Sequence, residues 1–439
     1  RGLGDVYKRQ VKCLPGNCGR LIYGLWKVLS YNYKTSVKKI KLNNFVAKQV
    51  KDMNKNIEKL TPFLVMDVLE RANALQREGI DIIHLEVGEP DFDIPACARQ
   101  AAQQAYSEGY THYTHSQGAF ELREEISRFY QSEYGVTISP ERIIVTSGTS
   151  PALLMLMLML CEPGSEAIIT NPGYACYHNF IEAAGAVPIQ VNLDKENQFR
   201  FDVEKIKSAI TSRTRALIIN SPMNPTGAVL PEETLKEIAG LPVPVISDEI
   251  YHGLVYEGRA HSILEYTDKA FVLNGFSKRY AMTGARLGYV IAPKEYVRTL
   301  QIMSQNFSIC APSVAQKAGT AALKEGNPAV EQMRTVYDER RRYMLRRLTE
   351  IGLPPISEPQ GAFYIFTDAS AYTDDSYKFA FELLEKAHVG VTPGVDFGSQ
   401  GEGCLRFSYA NSLENIKEGM ARIENFLNDL RKPDTNSCL

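Results

Sequence analysis

The 439 residues are enough for two or three ordinary domains or one large two-lobed enzyme. Hydrophobic residues make up 44% and charged residues 23%, with a net charge of −2, a balance that argues against disordered, collagen-like and coiled-coil chains. The longest apolar run, 152–161, is too short to span a bilayer and predicts instead a helix buried on all sides.

In chain order, the first segment differs from everything after it. Residues 1–52 carry 12 Lys/Arg against Asp5 and Asp52, a local net of +10, which leaves 53–439 at −12. The opening RGLGDVYKRQ looks like translated adapter sequence, so 1–52 is expected to be a non-native or read-through extension with Met53 as the natural start. A basic organellar presequence and a nucleic-acid-binding arm are the rival readings; the second lacks any accompanying binding motif.

From 142 to 292, short β-branched runs alternate with helical stretches. The predicted strands are 142–146, 166–170, 186–191, 215–220, 243–248, 271–276 and 287–292, with helices at 151–161, 175–184, 202–210 and 231–240. Nearly continuous apolar strands separated by helices predict an α/β, three-layer αβα fold around a mostly parallel seven-stranded sheet. Ligands in that architecture bind beyond the carboxyl ends of the strands. Later, Met333, Val336, Tyr337, Met344, Leu345, Leu348 and Ile351 follow helical spacing and predict one long helix over 327–351. Strands at 361–366 and 404–410 and a closing helix capped by Ser412 complete a smaller α+β domain. The expected boundaries are 53–95 and 327–431 for that smaller domain, and 96–326 for the larger one. Eight cysteines without a C-x-x-C pair predict buried thiols, with no disulfide framework and no metal site, in a reducing compartment such as the cytoplasm.

Several strand ends carry residues with chemical potential. Gly148, Thr149 and Ser150 link a strand to a helix, with Pro151 suited to the first helical position, so free N–H groups and the helix dipole face an anion there. The dipole alone contributes roughly 0.3–1 kcal/mol, so hydroxyls and a cation must add to it. Asn224 sits in an Asn-Pro-Thr-Gly turn, Asp248 and Tyr251 end the strand 243–248, and Lys278 follows the strand 271–276, with Arg286 eight residues on. Each feature alone has a bland reading as a turn, a cap or a solvated lysine. Together they are far more specific.

In that order and at those strand ends, the chain resembles the fold-type I pyridoxal phosphate-dependent enzymes, class I/II aminotransferases of the aspartate aminotransferase branch. The stretches that carry the likeness are GEPDFDIP (88–95), YTHSQG (113–118), SGTSPALLM (147–155), NPGY (171–174), NSPMNPTG (220–227), SDEIY (247–251), GFSKRYAMTGARLGY (275–289) and RFSYANSLENI (406–416). The resemblance implies that Lys278 forms the Schiff base with pyridoxal 5′-phosphate and then shuttles the substrate Cα proton. Asp248 is implied to pair with the pyridine nitrogen, Asn224 and Tyr251 with the phenolic oxygen, and Tyr174 to stack on the ring. Gly148, Thr149, Ser150 and Arg286 are implied to hold the phosphate, Tyr113 to reach the phosphate of a neighbouring subunit in a homodimer, and Arg406 with Gly88 to take the substrate α-carboxylate. Three positions depart from the commonest pattern: Gly275 stands where serine is frequent, Ala285 where tryptophan is, and Met223 where asparagine is.

The leading functional expectation is transamination between an L-amino acid and a 2-oxo acid, with neither nucleic acid nor membrane as partner. A β-eliminating lyase would use the same Lys, Asp and Arg, and release of ammonia and pyruvate would distinguish it. A pyridoxal phosphate-binding transcription regulator would need an N-terminal DNA-binding domain, for which 52 residues are too few. The amino acid itself is not legible, since no second cation dedicated to a distal carboxylate stands out.

Overall fold

The computed structural model describes residues 54–431, and the expectations for 1–52 and for Cys13, Cys18 and Cys438 lie outside them. A unit boundary falls at Glu58/Lys59, and the chain from Lys59 onward forms one compact unit. Its strands are β1 (Ile83–His84), β2 (Ile143–Thr146), β3 (Glu166–Asn171), β4 (Val187–Asn192), β5 (Thr214–Asn220), β6 (Val245–Asp248), β7 (Phe271–Gly275), β8 (Gly288–Ile291), β9 (Tyr364–Asp368), β10 (Val389–Gly390), β11 (Thr392–Pro393) and β12 (Cys404–Ser408).

Seven of these build the central sheet in the order β2-β8-β7-β6-β5-β3-β4. All neighbours are parallel except β8, which runs antiparallel to both β2 and β7. The sheet is buried on both faces because successive side chains alternate between two cores. Ile143, Val145, Leu217 and Ile219 pack against the helices Phe120–Tyr134 and Ser313–Glu325. Ile144, Ala216, Ile218 and Val290 pack against Thr149–Leu160 and Lys294–Phe307.

The helix at 152–161 differs from its expectation in two ways. It begins at Thr149, so Pro151 occupies its third position, still in the first turn where no N–H partner is lost. It is also not buried on all sides: Leu158 is 42% exposed, and only one side of the apolar run faces the sheet. The helices Ala96–Ser107, Phe120–Tyr134, Lys294–Phe307 and Ser313–Glu325 escaped the sequence pattern. In the first of them only Ala98 and Ala105 are buried, so no strong apolar stripe marks it.

A second core surrounds the long helix Asn327–Ile351, where Met333, Tyr337, Met344, Leu348 and Ile351 are buried at the predicted spacing. Against it lies the antiparallel sheet β11-β12-β9, and β1 joins this part through parallel pairing with β10. The predicted strand at 361–366 starts only at Tyr364, because the Gln360 and Gly361 N–H groups donate instead to the Gly227 carbonyl. The closing helix Leu413–Arg431 is capped as expected, with Ser412 Oγ accepting from the Asn415 N–H at 3.1 Å.

Candidate active site

The predicted residues converge where the parallel strands end. Thr146 and Gly275 both lie opposite Gly288, and Asn220 lies opposite Asp248, so four strand ends form one edge. Because β8 is antiparallel, the residues just before it, Arg286 included, reach that same edge.

Asp248, the last residue of β6, is buried. Burial raises its carboxyl to about 6, and the Tyr177 hydroxyl, which donates to Oδ2 at 2.7 Å, is the largest influence pulling it back down. The Ile250 N–H donates to Oδ1 at 3.2 Å. Asn220 fixes the strand end from the other side, donating to the Asp248 carbonyl at 2.9 Å and accepting the Asn224 N–H at 2.8 Å. One residue on, fully buried Glu249 takes hydrogen bonds from Ser247, Ser262 and the Ile263 N–H, and burial pushes it to about 8.

Lys278, half-buried beyond β7, donates to the Gly88 carbonyl at 2.6 Å. Desolvation lowers its ammonium from 10.5 to about 8; Glu89 opposes the shift, and Arg406 and Arg286 reinforce it. A fall of that size multiplies the neutral amine at pH 7 by about 300-fold.

The anion cradle is a close-fitted turn. Gly148 has φ +91°, and a Cβ there would lie 2.5 Å from Arg286 Nη2. Gly288 permits the turn to sit on the sheet, since a Cβ there would lie 2.7 Å from the Gly148 carbonyl carbon. Arg286 itself has φ +53°, and its Nη1 donates to the Thr283 carbonyl at 2.9 Å. The helix Thr149–Leu160 starts here, so its free N–H groups lie beside a guanidinium. At Gly275 a Cβ would come within 3.0 Å of the Leu287 carbonyl, so the serine frequent elsewhere would press on the backbone preceding β8.

Arg406, on β12, is buried with its hydrogen bonds directed to neutral acceptors. Nη1 donates to Asn224 Oδ1 at 3.0 Å, and Nη2 to the Glu86 carbonyl at 2.6 Å and Thr392 Oγ1 at 3.0 Å. Among the described residues Nε has no partner. The guanidinium lies over Tyr364 at 4.3 Å and Phe397 at 5.1 Å. Tyr364 hydroxyl meets Tyr251 hydroxyl at 2.9 Å, and a Cβ on Gly88 would lie 2.6 Å from the Tyr364 hydroxyl. Tyr174 packs edge-on against Tyr177 and Phe63 and feels the charge of Asp248. Tyr113 instead is 78% exposed.

Asp248, Lys278, Asn224, Tyr251, Tyr174, Gly88, Gly148, Thr149, Ser150, Arg286 and Arg406 are thus gathered around one cleft. Tyr177, Asn220, Tyr364, Thr392 and Gly288 belong with them but were not singled out from the sequence. Asn220 and Gly288 stood within the motif stretches, and Tyr177 lies three residues after Tyr174, its N–H donating to the Tyr174 carbonyl at 3.1 Å, whereas nothing local marked Tyr364 or Thr392. A cleft with a partly neutral lysine, a buried carboxylate and two guanidiniums bonded, among the described residues, to neutral acceptors can hold a dianion at one end and a carboxylate at the other. Lys278 lies within electrostatic reach of Asp248 and of both guanidiniums, so a proton carrier and an anion share the same site.

Comparison with known proteins agrees with this chemistry. The family model for aminotransferase class I and II matches residues 80–423. The (5-formylfuran-3-yl)methyl phosphate transaminase of Methanocaldococcus jannaschii is 42% identical over 86% of this chain and 100% of its own length. The aspartate aminotransferase of Pyrococcus horikoshii is 38% identical over 83% of this chain and 94% of its own. The solved structure of Thermus thermophilus aspartate aminotransferase with maleate superposes with a TM-score of 0.82 at 37% identity, covering 85% of this chain and 99% of that one. With its cleft at the carboxyl edge of a PLP-transferase sheet, this chain belongs to the class I and II aminotransferases and is a pyridoxal phosphate-dependent aminotransferase.

Proposed function

We propose that Lys278 is the cofactor lysine and proton carrier of a transaminase acting on an L-amino acid and a 2-oxo acid. The observation that carries this reading is an amine lowered to about 8 in the same cleft as a buried carboxylate. The residues fit pyridoxal phosphate: Gly148 leaves room for Arg286 at a helix start, and Arg406 Nε is buried without a partner. When bound, the cofactor supplies an aldehyde that condenses with amines and a ring that withdraws electrons from the substrate Cα.

Each side chain then has a defined task. Gly148, Thr149, Ser150 and Arg286 hold the phosphate through backbone N–H groups, hydroxyls and charge. Asp248, kept ionised near neutral pH by Tyr177, holds a proton on the ring nitrogen. A charge pair near 4 Å at an effective dielectric of 20 contributes roughly 4 kcal/mol before desolvation. Tyr174 packs on the ring, while Asn224 and Tyr251 donate to its phenolic oxygen. Arg406 takes the α-carboxylate bidentately, oriented by Asn224, Glu86 and Thr392, with Gly88 alongside. Lys278 Nζ would accept the proton from the substrate Cα and deliver it to the aldehyde-derived carbon of the cofactor rather than back to Cα, a role only the neutral amine can fill.

The separate cores support taking 96–326 as the cofactor-binding lobe and 53–95 with 327–431 as the smaller lobe. Exposed Tyr113, Leu158, Phe307 and Ile309 support a homodimer in which Tyr113 reaches the phosphate of the neighbouring subunit, and sedimentation at twice the monomer mass tests it. Free Cys97, Cys161, Cys176, Cys310 and Cys404 support a cytoplasmic location, and no described helix is long and apolar enough to cross a membrane. The named substrates of the relatives differ widely, so a half-reaction screen of the twenty amino acids identifies the donor. Lys278→Ala is expected to lose turnover and the visible band of the lysine-bound cofactor while keeping its circular dichroism; retained full activity defeats the assignment.

A further inference from the structure

The loop 88–93 deserves a function of its own. Its Gly88 carbonyl accepts from Lys278 Nζ at 2.6 Å. Its Glu89 accepts from the Thr283 hydroxyl, and the Thr283 carbonyl in turn accepts from Arg286 Nη1 at 2.9 Å. Both cations at this end of the cleft are therefore held through one short loop. A loop of this kind has few internal hydrogen bonds to fix it, so its position must come from elsewhere.

It comes from the long helix Asn327–Ile351. Arg340 Nη1 lies 2.9 Å from each carboxylate oxygen of Asp91, and its side chain is 10% exposed. The guanidinium is stacked over Phe92 at 5.3 Å and Tyr337 at 5.6 Å, and those two rings meet edge-on at 5.3 Å. Tyr337 belongs to the second core, so the anchor stands on a packed element. Asp91 is three positions from Gly88 along the chain, a reach of about 10 Å at most, so a shift at one end is felt at the other.

We propose that Asp91 and Arg340 form a positioning pair for the reaction, fixing the loop 88–93 from the long helix so that Gly88 and Glu89 hold Lys278 and Arg286 in register. The proposal rests on Lys278 being the cofactor lysine, and the two fail differently: loss of that assignment removes the visible band's dependence on Lys278, whereas this one concerns holoenzymes that keep the band. Neither residue touches the reacting atoms. Removing Asp91 alone would strand the nearly buried charge of Arg340, so the informative variant removes both.

The test compares holoenzymes of the wild type, Asp91→Asn/Arg340→Met, Arg340→Lys and Asp91→Glu in kcat, KM and the pH titration of the visible band. The double variant is expected to lose about 10–100-fold in kcat/KM, the size of loss that misplacement by about 1 Å produces. Its titration midpoint is expected to move by about half a unit or more, since 1.36 kcal/mol of altered interaction corresponds to a full unit. Arg340→Lys keeps the charge without the planar fork or the stacking, and is expected to recover part of the loss. Should the double variant fail to fold, Asp91→Glu, one methylene longer, carries the test with about a threefold to tenfold loss expected. A double variant within about twofold of wild type with an unmoved midpoint overturns the proposal, whatever its melting temperature. So does a fall in kcat/KM with no movement of the midpoint, or an Asp91→Glu variant unchanged in both.

Discussion

Replacing Tyr177 by Phe removes one hydroxyl, 2.7 Å from Asp248 Oδ2, and leaves the ring that fills the core. The site is buried, with Tyr177 4% exposed, so the lost donor is not simply replaced by bulk water. A hydrogen bond to a charged group contributes about 1.5–3 kcal/mol net, which is about one to two pKa units. In the cofactor-free protein Asp248 stands at about 6, and the donor being removed is its largest counterweight to burial. The hydroxyl favours the ionised form, so without it the carboxyl rises to about 7–8. An Asp248 that is neutral cannot hold a protonated ring nitrogen. Cofactor affinity of the apoenzyme, followed by reconstitution of the visible band, should therefore fall roughly tenfold at pH 6.5 and less than about twofold at pH 9. The linkage runs the same way. Because the folded pKa is raised from 3.8, the folded protein binds the extra proton, and stability is lost as pH rises from 3.8 through about 6. In the variant that window extends upward. Superimposable affinity curves for the two proteins, or a larger gap at pH 9 than at pH 6.5, would refute the reasoning.

Two further substitutions probe the ends of the cleft. Arg406→Lys replaces a planar fork by a point charge and should lower kcat/KM for amino acids by about 10–100-fold, while a simple amine lacking a carboxylate changes by less than about threefold in single-turnover measurements. Equal losses for both compounds would remove Arg406 from carboxylate recognition. Gly148→Ala places a Cβ 2.5 Å from Arg286 Nη2 at a φ of +91°. Strain of about 1–3 kcal/mol should weaken phosphate and cofactor binding by about 10–100-fold, read by fluorescence titration of the apoenzyme, and an unchanged affinity would contradict the cradle.

The sequence by itself determined the sheet, the long helix and the order of the chemical residues. Nearly continuous apolar runs such as 216–219 have only one stable place, between two layers of helix, so strand identity follows from composition. The Asn327–Ile351 helix was equally legible because Met333, Tyr337, Met344 and Ile351 repeat at the helical period. Asp248 and Lys278 were recognisable because each lies at or just beyond the end of such a strand, and Arg286 because it follows Lys278 by eight residues. What only the tertiary structure decided was the company these residues keep. Tyr177 acts through a contact 71 positions away, Arg340 through one 249 away, and Arg406 meets the Glu86 carbonyl across 320. Local periodicity carries no information about such pairings. The antiparallel direction of β8, which brings Arg286 to the cleft, and the exposed Leu158 in an otherwise apolar helix also depend on the neighbouring elements. Propensity and hydrophobicity fix which segments fold into strands and helices; which side chains then lose water together, and so acquire shifted pKa values and a shared chemistry, is set only when those segments pack.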